Sequence, residues 1–184
     1  MSLPDQIPLP LKRALEAKGY AELTPVQSAM LEPDTAGADL LVSAQTGSGK
    51  TVAFGMAIAD TLLAGKDTLG MAVQPMALVV APTRELALQV RRELEWLYAD
   101  AGAKMASCVG GMEMRKEIRA LQQGAHIVVG TPGRLRDHIT RGSLDLEGLR
   151  AVVLDEADEM LDLGFREDLE FILDASPKER RTLM

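Results

Sequence analysis

Five short apolar runs, Leu40–Ala44, Leu78–Ala81, Met105–Val109, His126–Gly130 and Ala151–Asp155, constrain the fold of this chain more than any other feature. Each is continuous, whereas a strand with one wet face would alternate apolar and polar residues. A run that is apolar on both sides needs cover on both sides, as in a parallel sheet sandwiched by helices. Helical spacing fills the intervals: Thr51–Leu63, Arg84–Asp100, Met112–Gln122, Arg134–Arg141 and Glu156–Leu163. Leu86, Val90, Leu94 and Leu97 repeat at helical spacing and are expected to face the sheet. The alternation predicts βαβ units with right-handed crossovers, hence an α/β fold with a mostly parallel sheet and helices on both faces. Upstream, Pro8–Gly19 reads as a short helix, with Pro10 near its start and Gly19 just past its end. Asp60–Pro75, with Gly65, Gly70 and Pro75, reads as an exposed loop. No repeat or low-complexity tract divides the chain, so one domain is expected.

A chain of 184 residues can bury a core without staples. With aromatics at only 3%, that core must be built of Leu, Val, Ala, Met and Ile. The lone Cys108 has no intramolecular partner and is expected as a small buried strand residue. No apolar run approaches the roughly 18 residues of a membrane span, and Met1–Asp5 lacks a basic, apolar leader. A cytoplasmic protein with no membrane association is expected. The net charge of −7 excludes a broadly basic surface that coats nucleic acid. Any polynucleotide must be held locally, by placed donors.

The chemistry concentrates at the ends of the runs. Ala44-Gln45-Thr46-Gly47-Ser48-Gly49-Lys50-Thr51 follows one run and opens a helix, the context of a phosphate-binding loop. Gly47 and Gly49 let successive backbone N–H groups point inward, and the helix start adds its positive dipole end. Lys50 is expected to reach the β- and γ-phosphates of a nucleotide, and the Thr51 hydroxyl to sit on Mg²⁺. Ala151–Leu154 ends in Asp155-Glu156-Ala157-Asp158. There Asp155 would hold Mg²⁺, partly through water, and Glu156 would orient or deprotonate the attacking water. A plainer reading makes both carboxylates helix N-terminal stabilisers. Gln27, with one acceptor and two donors, can match the edge of adenine.

Two further junctions, Pro82-Thr83-Arg84 and Thr131-Pro132-Gly133-Arg134, also pass from run to helix, and Gly110-Gly111 follows a third run. In a parallel sheet these all open on the carboxyl edge, where ligands bind. Each offers free N–H groups, close backbone approach or an arginine to an anion. Singly they are ordinary capped turns; together they could hold a phosphodiester strand. His126 and His138 lack the paired ligands of a metal site and are assigned structural or solvated roles. Met112, Met114 and Met160 are assigned to packing.

These motifs, in this order, resemble the DEAD-box ATP-dependent RNA helicases, whose naming tetrapeptide stands at Asp155–Asp158. The likeness runs from about Gly19 to the last residue. It comprises a Q-motif-like Leu23–Gln27, the ATP-binding loop at Ala44–Thr51, Pro82–Ala87, Gly110-Gly111, Thr131–Arg134 and the acidic motif. Ala44, in place of a leading glycine, is the family's own form of the loop. The resemblance implies a RecA-like P-loop NTPase domain over 28–184, preceded over 1–27 by a helix and the Q-motif-like region. It implies ATP and Mg²⁺ as cofactors, with Gln27 reading adenine. RNA would lie along Pro82, Thr83, Arg84, Gly110, Gly111, Thr131, Pro132, Gly133 and Arg134, through its sugar-phosphate backbone. Two positions depart from the pattern: Leu23 stands where the family has Pro, and Ser2–Ile7 lacks the aromatic residue that stacks on the base.

The resemblance also implies a second RecA-like domain of the same full-length chain, which would supply an arginine finger. The 184 residues alone are therefore expected to bind nucleotide weakly and turn it over hardly at all. A DNA-directed helicase of the same superfamily and a non-enzymatic, nucleotide-gated RNA clamp are the alternatives.

Overall fold

A computed structural model describes residues 3–184. Its sheet has five strands: β1 (Ala77–Val80), β2 (Met105–Cys108), β3 (Ile127–Gly130), β4 (Ala151–Leu154) and β5 (Arg181–Leu183). They lie in the order β2-β3-β1-β4-β5, and every pairing is parallel. The α/β architecture read from the sequence is thus present. The continuous apolar character of the strands has a direct cause. Ala77, Val79, Ile127, Val129, Ala151 and Val153 enter one core layer, with α1 (Leu9–Ala17), α3 (Lys50–Leu63) and α4 (Arg84–Leu97). The intervening Leu78, Val80, Val128, Val152 and Leu154 enter a second layer, with α6 (Pro132–Arg141), α7 (Ala157–Asp162) and α8 (Arg166–Ala175). Neither face is wet, so neither alternates.

The first predicted strand needs correction. Leu40–Ala44 is extended but forms only a bridge, Leu40 with Leu183. Leu40 N–H donates to Thr182 O, Met184 N–H to Leu40 O and Val42 N–H to Met184 O. Those bonds lie on one side only, and Leu41 is 85% exposed. A segment bonded on one side over so few residues is not a full ladder. The predicted loop over Asp60–Pro75 begins later, because Asp60–Leu63 completes α3 with Leu62 and Leu63 in the core. Helix bounds also shift: the first helix spans Leu9–Ala17, the fourth stops at Leu97, α5 runs over Met114–Gln122, and Glu156 precedes α7. Of the predicted α4 stripe, Val90, Leu94 and Leu97 are buried and Leu86 half-buried. Four elements go beyond the sequence expectation: α2 (Pro25–Ala29), a 3₁₀ turn over Pro33–Thr35, α8 and β5.

Strand register positions the site. Val80 is level with Gly130 and Leu154, and Gly130 with Cys108. Four strands therefore end on one line, and the segments Pro82–Arg84, Gly110-Gly111, Thr131–Arg134 and Asp155-Glu156 leave the sheet side by side.

Candidate nucleotide and polynucleotide sites

The loop Gln45–Gly49 turns through Ser48 N–H to Gln45 O (3.2 Å) and delivers the chain into α3. Gly49, the N-cap, has φ +81°, open to glycine at no steric cost. A Cβ there would run into Gln27 Nε2. Gln27 is fully buried, and its amide is engaged at both ends. Oε1 accepts from Thr24 N–H (3.0 Å) in a reciprocal cap of α2, and Nε2 donates to Gly49 O (3.2 Å). One Nε2 hydrogen and one Oε1 lone pair remain for any further partner.

Lys50 reaches across to the end of β4. Its Nζ lies 3.0 Å from Glu156 Oε1 and 3.8 Å from Asp155 Oδ1. Asp155 is buried, and Oδ1 has no hydrogen-bond donor. Burial pushes its carboxyl above the usual carboxylate range, and the Lys50 ammonium pulls it back down. Glu156 has φ +54° and ψ +51°, a left-handed conformation that costs a non-glycine residue about 1–2 kcal/mol. Such strain is found where a side chain must be aimed. Ser48 Oγ is a second buried polar atom without a partner. Thr51, Asp155, Glu156, Lys50 and Gln45–Gly47 line one cleft of about 290 Å³, together with Tyr20, Leu86, Gln89 and Glu93.

The donor set fits a hydrated Mg²⁺. One unsatisfied carboxylate oxygen belongs to a residue that lines the same cleft as the threonine at the loop's end, and Mg²⁺ in nucleotide sites takes one or two protein oxygens plus water and phosphate. Among the described residues no group of three His, Cys, Asp or Glu is placed to hold a metal without such additional ligands.

Tyr20 was not foreseen as a cleft residue. Of the stretch searched for an aromatic, Ser2 lies outside the described residues, and Leu3 and Ile7 are buried in the core. Tyr20 sits instead at the rim of the cleft, its ring 6.0 Å from that of Trp96.

The neighbouring junctions converge on one another. Thr83 caps α4 through Leu86 N–H (3.2 Å), and Pro82 is buried beneath it. Arg84 Nη2 reaches Met112 Sδ (3.4 Å), and Arg134 Nη2 donates to Met112 O (2.9 Å). Arg134 Nη1 approaches Met114 Sδ at 3.6 Å. The two predicted arginines thus meet at Met112, the residue that follows the Gly110-Gly111 pair. A Cβ on Gly111 (φ +80°) would come within 2.7 Å of Arg84 Nη1. Thr131 caps α6 without spending its hydroxyl, and Pro132 is buried behind it. Gly133 is exposed with open space above its Cα. Met112 and Met114, assigned to packing, also serve as soft acceptors for guanidinium groups; Met160 is fully buried.

The histidines are buried. His126 Nδ1 accepts from Lys104 N–H (2.9 Å), and burial holds its ring below the usual histidine range. His138 Nε2 lies 2.9 Å from Glu117 Oε1, a pairing no local signal announced.

Residues 24–184 match the sequence pattern of the DEAD/DEAH box helicase family. The chain belongs to that family. The DEAD-box ATP-dependent RNA helicase CshA of Geobacillus kaustophilus is 47% identical over 172 residues, covering 94% of this chain and 36% of that protein. The DEAD-box ATP-dependent RNA helicase 9 of Oryza sativa is 46% identical over 171 residues, covering 92% of this chain and 27% of that one. The crystal structure of a DEAD box protein from Methanococcus jannaschii superposes with a TM-score of 0.81 at 37% identity, covering this whole chain and 47% of that one. This family member therefore spans roughly a third of the length of these curated relatives. Among the described residues no helix is long and apolar enough to cross a membrane.

Proposed function

We propose that this chain is the ATP-binding, RecA-like half of an ATP-dependent RNA helicase that couples hydrolysis to local duplex opening or remodelling of RNA–protein complexes. The domain would cover 28–184, with 1–27 as an N-terminal helix and Q-motif-like region. The observation that carries the reading is the junction of Lys50, Asp155 and Glu156 at the mouth of the Gln45–Gly49 loop, 3.0–3.8 Å apart. A triphosphate entering this cleft meets backbone N–H groups, the N-terminus of α3 and the Lys50 ammonium.

Lys50 would leave Glu156 for the β- and γ-phosphates, and that exchange frees the Glu156 carboxylate to orient or deprotonate water. Asp155 and Thr51 would hold Mg²⁺, whose charge offsets that of the phosphates when bound. Gln27, tied to Gly49, would couple occupancy of the adenine site to the shape of the loop. Along the same sheet edge Pro82, Thr83, Arg84, Gly110, Gly111, Thr131, Pro132, Gly133 and Arg134 would grip a polynucleotide backbone without reading its bases. The names of the relatives favour RNA over DNA. A second RecA-like domain is the expected intramolecular partner, and a cytoplasmic location is proposed.

The test is made on the full-length protein. Lys50→Ala should weaken ATP affinity by about tenfold to a hundredfold, the worth of a charge-assisted bond to phosphate. RNA, and not DNA of the same sequence, should stimulate turnover by the parent enzyme. Unchanged nucleotide affinity in Lys50→Ala would sink the site assignment; equal stimulation by DNA would sink the choice of RNA.

A further inference from the structure

α5 is an amphipathic helix whose apolar residues are at most half-buried, and its one buried residue is a carboxylate, Glu117. Burying that group is costly unless donors surround it. Three do, from two different segments. Val109 N–H donates to Oε2 at 2.7 Å, from the residue directly before Gly110-Gly111. His138 Nε2 lies 2.9 Å from Oε1 and Arg134 Nε 3.5 Å from the same oxygen, both on α6. The His138 ring is fully buried, and its Nδ1 faces the Ser143 hydroxyl at 2.7 Å. Ser143 and Glu117 thus engage both ring nitrogens and together fix the orientation of the ring.

We infer that Glu117 is a positioning residue for polynucleotide binding: its carboxylate joins the Gly110-Gly111 loop and the Arg134 guanidinium into one rigid grip. The inference rests on the reading of those two elements as RNA-facing. Two observations support a shared unit over two independent turns. Arg134 pairs with Glu117 through Nε (3.5 Å) and donates through Nη2 to the carbonyl of Met112, the residue after Gly111 (2.9 Å). Thr131 N–H is tied to Cys108 O (3.1 Å), so the start of the α6 segment and the end of β2 are already joined by backbone. Pre-ordering these groups lowers the entropy lost when a flexible strand binds. Freed of Glu117, the glycine pair regains its conformational range and Arg134 loses the carboxylate that orients its fork. Glu117 touches none of the residues around Lys50, so nucleotide binding should not depend on it.

Three variants of the full-length protein decide the matter, each assayed for RNA-stimulated ATP hydrolysis with RNA and ATP titrated separately. In Glu117→Gln the half-saturating RNA concentration should rise about five- to thirtyfold, the size of coupling between residues of one hydrogen-bond network. The half-saturating ATP concentration and kcat at saturating RNA should stay within about twofold of the parent. His138→Gln, which leaves the Val109 bond in place, should move the RNA requirement the same way by less. Arg134→Ala must itself raise the RNA requirement. If it does not, the RNA reading of this edge falls and the inference with it. If Arg134→Ala does so while Glu117→Gln folds and leaves the RNA requirement unchanged, or shifts RNA and ATP alike, only the positioning role is overturned. Should Glu117→Gln not fold, His138→Gln decides by the same criterion, and failure of both to fold assigns the cluster to scaffolding.

Discussion

Lys50 and Asp155 form an incomplete pair. At 3.8 Å the ammonium is near enough to attract the carboxylate but too far to hydrogen-bond Oδ1, which stays without a donor in a buried position. The raised pKa of Asp155 follows from burial first, with Lys50 opposing it. A carboxyl with a raised folded-state pKa contributes stability below its unfolded pKa and loses it as pH rises through the folded value, so at neutral pH the ionised Asp155 works against the nucleotide-free fold. Asp155→Asn should therefore raise the melting temperature of the nucleotide-free protein at pH 7, the rise shrinking as the pH is lowered toward the acid range. The same change should remove the Mg²⁺ dependence of ATP binding, lowering affinity in Mg²⁺ by about tenfold or more. A melting scan over pH and a nucleotide titration with and without Mg²⁺ check both halves. At this scale the sequence was informative where chemistry is local: Gln45–Thr51 and Asp155-Glu156 are contiguous and bring their own context. It was silent on Glu117 and His138, which meet across 21 positions of chain, one of them on a helix whose other charged residues are exposed. Nothing in a single sequence distinguishes that glutamate from its solvated neighbours.

Among the elements, β1, β3 and β4 were legible because burial on both faces leaves an unbroken apolar word. β5 was not, because it begins with Arg181. That side chain is buried, its guanidinium satisfied by the carbonyls of Ala38, Ala57 and Thr35. Three acceptors from distant segments make a charged residue behave as core, which no local pattern conveys. His126 is buried, with Nδ1 accepting from Lys104 N–H, while its own N–H donates to Lys104 O at 2.8 Å. Protonating the ring turns the Nδ1 acceptor into a donor facing a donor. Burial lowers its folded-state pKa, with Lys104 acting in the same direction and the Gly70 carbonyl opposing. A depressed pKa contributes stability above the unfolded value near 6.5 and loses it as pH falls through the folded value. His126→Gln should cost about 1–2 kcal/mol at pH 7.5, through the lost bond and imperfect packing. It should also flatten the fall in melting temperature between pH 6.5 and 5 that is expected of the parent. An unchanged slope would assign that acid sensitivity to other groups.

For the molecule as a whole, both candidate sites lie on one edge of one sheet, and the residues facing them do not enclose them. The nucleotide cleft is walled by the Gln45–Gly49 loop, β4 and the rim formed by Tyr20, Leu86, Gln89 and Glu93. No arginine stands among those lining residues to meet charge developing on a transferred phosphoryl group. Arg84 and Arg134, the arginines of the proposed polynucleotide grip, both contact Met112. In phosphoryl transfer an arginine supplied from a second surface is worth about 10³–10⁵ in rate. The geometry therefore predicts a separation between binding and turnover. The 184-residue chain alone should retain Lys50-dependent affinity for ADP. With saturating RNA its hydrolysis of ATP should run about 10³–10⁵-fold slower than that of the full-length protein. Glu156→Gln should make little further difference in the short chain, because the step that residue serves is already limited by missing charge. In the full-length protein the same substitution should arrest turnover with ATP retained. Turnover by the short chain within about tenfold of the full-length rate would mean that these residues complete the catalytic site by themselves, and the dependence on a second domain would have to be abandoned.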